Sequence, residues 1–88
     1  MIRNENFLLQ EVAGSQILVP VGEAVGEFAG MLTLNGPGVH LWNALEKEQT
    51  VSSLAAVLLD RYEVTWEQAS ADVEKFIATL RSVGAVKD

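Results

Sequence analysis

The chain of 88 residues is long enough for one hydrophobic core and too short for a second domain of ordinary size. Apolar residues make up 49% of it and charged residues 20%, a globular balance, and twelve acidic against six basic side chains set a formal net charge of -6 that repels nucleic-acid phosphates. The absence of cysteine excludes disulfides, thiol nucleophiles and thiolate-held iron-sulfur clusters, and no stretch reads as a secretory signal or a membrane span, so a cytoplasmic chain binding neither nucleic acid nor membrane is expected.

Residues 7 to 34 are rich in Val, Ile, Leu and Gly without a sustained helical period, which predicts strands. FLLQEV, QILVPV and GMLTL are the three candidates, with Ala13-Gly14-Ser15 suited to a short hairpin turn between the first two. Pro20 lacks an amide proton and belongs at a bulge or a strand end. The glycine-spaced GEAVGEFAG that follows is a longer loop with room for one helical turn. At LNGPG, Asn35 can accept from the free amides of a helix start and Pro37 is tolerated in the first turn, so a first helix runs through Val39, Leu41, Trp42 and Leu45. From Thr50 to Glu63 the apolar positions Val51, Leu54, Ala55, Leu58, Leu59 and Tyr62 form one stripe of a second helix. A third begins at Thr65, where Thr65 and Gln68 match a capping box, and extends to Gly84, with Trp66, Ala69, Val73, Phe76, Ile77 and Leu80 as its buried stripe.

The predicted class is α+β, a winged helix-turn-helix-like domain over residues 1–88 in which a three-stranded antiparallel sheet precedes three helices. Alternation along GMLTL puts Leu32 and Leu34 on the core side and Met31 and Thr33 on the other. In a simple meander this third strand is an edge, and it carries none of the charges or prolines that usually blunt one. Either the fold covers that edge, or a partner pairs with it.

Catalytic chemistry finds no constellation. His40 stands alone, without a nucleophile or second metal ligand at a recognisable offset. Asp72 and Glu74 diverge by about 200° on a helix and do not form a pair. The glycines match neither a dinucleotide fingerprint nor a phosphate loop, and Ser52 and Ser53 lack the setting of a carrier attachment site. No catalytic residue, metal or cofactor is therefore expected. On the third helix one flank of the buried stripe, Glu67, Ser70, Glu74 and Arg81, is polar throughout. The other mixes Phe76 and Val83 with Asp72, Lys75 and Thr79, which fits a groove wall for an extended peptide. Phe76 reads equally well as a plain core residue.

LNGPGVHLW, TVSSLAAVLLDRYEV and ADVEKFIATLRSVGAV, in this order and spacing, resemble the family of pyrroloquinoline quinone biosynthesis protein D, the PqqD-like peptide recognition elements. The matching positions are Leu34, Asn35, Gly38 and Trp42, then Thr50 and Val51, then Asp72, Val73, Phe76, Leu80 and Gly84. The turn between the first two helices departs from the pattern, with Glu46-Lys47-Glu48-Gln49 where a glycine is common. The resemblance implies a non-catalytic protein that binds the leader of a ribosomally made precursor peptide. It would present that leader to a modifying enzyme, a radical S-adenosylmethionine enzyme being the expected class, in pyrroloquinoline quinone or related biosynthesis. It also implies that the leader adds as a strand to Gly30, Met31, Leu32, Thr33 and Leu34, against a wall of Asp72, Lys75, Phe76 and Thr79. A homodimer through edge strands is a further expectation. The competing reading, a winged-helix regulator binding DNA, lacks a basic recognition helix, since Arg3, Lys47, Arg61, Lys75, Arg81 and Lys87 are scattered.

Overall fold

A computed structural model describes residues 1–26 and 31–88, so Gly30 lies outside the described residues. After a two-residue strand β1 (Ile2–Arg3), strands β2 (Phe7–Val12) and β3 (Ser15–Pro20) form a hairpin in which Val12 pairs with Ser15. Only Ala13 and Gly14 make the turn, with φ of 52° and 83°. Positive φ at both positions is the type I′ turn, whose twist matches that of its strands; glycine supplies it freely, and the hairpin holds Ala13 to it. Pro20 is the last residue of β3, where its missing amide costs least. A 3-10 turn (Gly22–Gly26) occupies the first part of the glycine-spaced loop, and β4 (Leu32–Leu34) then pairs antiparallel with β3, with Thr33 opposite Ile17. The sheet order β2-β3-β4 is the expected meander, with β4 at a margin.

Three helices follow: α1 (Gly36–Ala44), α2 (Val51–Arg61) and α3 (Trp66–Ser82). Each starts on the side chain the sequence offers. Asn35 Oδ1 accepts from the Gly38 amide at 2.9 Å, and Thr50 and Ser53 form a reciprocal capping box. Thr65 Oγ1 accepts from the Gln68 amide at 3.1 Å. The expected return bond from Gln68 is not made, because its Nε2 donates to Asp72 Oδ1 at 2.8 Å, one helical turn ahead. Trp66 also departs from expectation: it is 48% exposed rather than core. Periodicity tells which side of a helix faces inward, not how far the core extends along it, and the buried stripe of α3 begins at Ala69. Leu59 on α2 is likewise exposed.

Helix α3 ends in a Schellman motif: Gly84, at φ 77°, donates to Arg81 O at 3.1 Å and Ala85 donates to Leu80 O at 2.9 Å. That reversal delivers β5 (Val86–Lys87) to β1, with Ile2 opposite Lys87, in a second small sheet. Lys87 Nζ contacts Glu5 and Arg81 contacts Asp88, each at 2.6 Å, and these hydrogen bonds hold both carboxyls below their ordinary range. All four side chains are exposed, so the pairs contribute little to stability. The core packs Leu18 and Leu34 of the sheet against Leu41, Trp42, Leu45, Leu54, Val73, Ile77 and Leu80, and among the described residues no polar or charged side chain is buried.

Candidate functional site

Neighbouring residues of an antiparallel ladder turn their backbone N–H and C=O groups alternately to either side. The pair flanking a two-residue turn, here Val12 and Ser15, exchanges both bonds. Counting from it, Ser15, Ile17 and Val19 face β2, while Gln16 and Leu18 face β4. Their partners Leu34 and Leu32 therefore bond inward, and Thr33 points its N–H and C=O off the sheet. Within β4 the open backbone is that of Thr33.

Two adjoining cavities lie beside this margin. One, of about 300 Å³, is lined by Leu32, Thr33, Leu34, Asn35, Phe76 and Thr79. The other, of about 330 Å³, shares Asn35, Phe76 and Thr79, has buried Gly38, Leu41 and Leu58 with half-buried Pro37 as its apolar lining, and carries exposed Asp72 and Lys75. Together they form a groove between β4 and α3. Leu32, Leu34 and Phe76 have their apolar surface partly or wholly packed on the core, and Thr33 and Thr79 are exposed. Phe76 thus serves both readings offered by the sequence: it is half-buried against the core and faces both cavities.

The predicted peptide-contacting residues Leu32, Thr33, Leu34, Asp72, Lys75, Phe76 and Thr79 come together along this groove. Met31, 69% exposed, lines neither cavity. Asp72 is engaged by Gln68, whereas Lys75 is in no ion pair among the described residues. The Thr79 hydroxyl donates to Lys75 O at 3.1 Å, one turn back on α3, which leaves its oxygen free to accept.

Sequence reasoning assigned Asn35 only to capping. Its Oδ1 does cap α1, but its NH2 group makes no hydrogen bond among the described residues, and the residue lines both cavities, which makes that amide a candidate donor to an incoming carbonyl. Pro37, Leu41 and Leu58 were read as helix-start and core positions, and they also line the groove. Gly38 explains how Phe76 reaches its place. A methyl group there would lie 3.1 Å from Asn35 Oδ1 and 3.2 Å from the Phe76 ring. Replacing Gly38 with alanine is expected to displace both, lowering stability by about 1 to 3 kcal/mol, which thermal denaturation measures.

Other candidates hold no site. His40 is half-buried with its ring 6.2 Å from that of Tyr62, and no group of three metal-ligating side chains occurs among the described residues. No described helix is long and apolar enough to cross a membrane.

By fold, the chain is similar to the solved structure of TbiB1 in complex with the TbiA(beta) leader peptide, with a TM-score of 0.76 at 14% identity over 100% of both chains. It is also similar to lasso peptide synthetase B1 complexed with the leader peptide, with a TM-score of 0.74 at 16% identity, covering 98% of this chain and 95% of that one. No curated protein matches the sequence. The profile of the coenzyme PQQ synthesis protein D (PqqD) family matches residues 8–86, nearly the whole chain, and the protein belongs to that family.

Proposed function

We propose that this PqqD family member is a non-catalytic recognition protein for the leader of a ribosomally made precursor peptide. The leader adds as a strand to the open margin of β4, lays alternate side chains into the two cavities against α3, and is presented there to a modifying enzyme of the radical S-adenosylmethionine class. The contacts are made by Leu32, Thr33, Leu34, Asp72, Lys75, Phe76 and Thr79, together with Met31 just before β4; Gly30, which the family resemblance adds to this set, lies outside the described residues. One observation carries this reading: the outward backbone of Thr33 borders a groove whose opposite wall is Phe76 and Thr79. Strand addition with alternate side chains in pockets is an established mode of peptide capture. The two similar structures are complexes of those proteins with leader peptides, which supports the same ligand class here.

Strand pairing alone supplies little net affinity. The outward N–H and C=O of Thr33 contribute roughly 0.5 to 1.5 kcal/mol each when paired, less than the cost of ordering several peptide residues at about 1 to 2 kcal/mol apiece. Affinity then rests on two or three apolar side chains entering the cavities at about 1.5 to 3 kcal/mol each. Calorimetric titration with a synthetic leader tests the assignment. Lys75→Ala is expected to weaken binding only a few-fold, with an effect that fades as salt rises, because an exposed cation acts through screened attraction. A salt-independent collapse of affinity in that variant would remove the electrostatic role.

A further inference from the structure

The sheet has a second open margin. By the alternation already set out, Leu8, Gln10 and Val12 bond to β3, while Leu9 and Glu11 turn their backbone groups off the sheet along β2. The free stretch is bounded at both ends. The Phe7 amide donates to Asn4 O at 3.1 Å, and beyond Val12 the chain turns at Ala13.

We infer that this margin pairs with the same margin of a second copy of the chain, antiparallel about a two-fold axis through Gln10. Full overlap of residues 8–12 with themselves fixes that register, and it is one in which outward groups meet outward groups: Leu9 bonds to the second copy's Glu11 and Glu11 to its Leu9. On the solvent face of the sheet the same register sets Leu8 opposite the second copy's Val12. These are exposed apolar residues, at 48% and 51%, and each covers the other. No like charges stand opposite, since the one acidic residue of the stretch, Glu11, faces a leucine. A cavity of about 340 Å³ lined by Ile2, Arg3, Glu5, Phe7, Leu8 and Glu46 borders the N-terminal half of β2, where this register brings the second copy's Ala13-Gly14 turn.

Two five-residue strands form a short seam, below the roughly 1,200 Å² of total buried surface common in permanent complexes, so the association is reversible. Each copy carries a formal charge of -6, so added salt strengthens it by screening the repulsion. The β4 margin is untouched, which makes this pairing independent of the peptide-binding reading.

Because the chain has no cysteine, Gln10→Cys introduces a single thiol on the proposed axis. Facing residues at such a non-hydrogen-bonded position have Cα atoms about 4.5 Å apart, within disulfide reach. Under a glutathione redox buffer, Gln10→Cys is expected to form a covalent dimer at least about tenfold faster than Glu74→Cys on exposed α3. Charge variants test the register. Leu8→Lys/Val12→Lys and Leu8→Glu/Val12→Glu should each sediment as monomers and associate when mixed, with circular dichroism confirming the fold of both. Equal crosslinking rates for the two cysteine variants, or no association in the mixture, would overturn the inference. Leader titration of the lysine double variant is expected to match that of the unsubstituted chain. If the leader binds neither protein while crosslinking at Gln10 persists, the peptide reading fails and this one stands.

Discussion

Phe76→Asp is expected to eliminate measurable leader binding while the domain stays folded. The side chain borders both cavities, so its loss reaches every apolar anchor the peptide can place. Losing burial worth about 3 kcal/mol at one anchor weakens binding on the order of a hundredfold. A carboxylate at the junction adds a desolvation penalty for any apolar side chain brought against it. Phe76 is also half-buried over Gly38, so the substitution costs some stability, and thermal denaturation must accompany the titration. Phe76→Leu provides the control: it keeps apolar surface in the groove and is expected to retain part of the affinity. Full affinity in a folded Phe76→Asp protein would place the peptide elsewhere.

Thr33→Pro addresses the backbone instead of the cavities. Thr33 makes no ladder bond to β3, so removing its amide proton leaves the sheet intact, yet it deletes the outward donor of β4 and puts a ring where a peptide strand must approach. Loss of one bond of roughly 0.5 to 1.5 kcal/mol plus steric exclusion is expected to weaken binding by about tenfold or more. Thr33→Val, which keeps the amide, should bind like the unsubstituted chain. If proline and valine behave alike, the leader lies in the groove without joining the sheet.

Local chemistry made much of this fold legible. The turn at Ala13-Gly14, the terminal position of Pro20 and the caps at Asn35 and Thr65 each depend on one or two residues and their immediate neighbours, and each is observed where the sequence puts it. The pairing of β1 with β5 was not foreseen, because two-residue strands show no alternation and exist only once Gly84 has reversed the chain beside Ile2. Trp66 misled for a related reason: its spacing fits the stripe of α3, while its exposure depends on where the core stops. At the groove, alternation in Leu32–Leu34 and the mixed flank of α3 marked the two walls, and the family resemblance joined them. The remaining lining escaped notice because Asn35, Leu41 and Leu58 already had sufficient structural roles. A residue's first role in a sequence pattern conceals its second, and only the packed chain shows that one open end of the core is also the bottom of the groove.

The lack of any buried charged side chain among the described residues has a consequence for turnover. With every described ionisable side chain in contact with solvent, the domain stores no buried charge whose uncovering could force the groove apart. Under the proposed function, unloading a captured peptide is then a tug-of-war, decided by how strongly a downstream catalyst grips the same polypeptide and by how much of it is present.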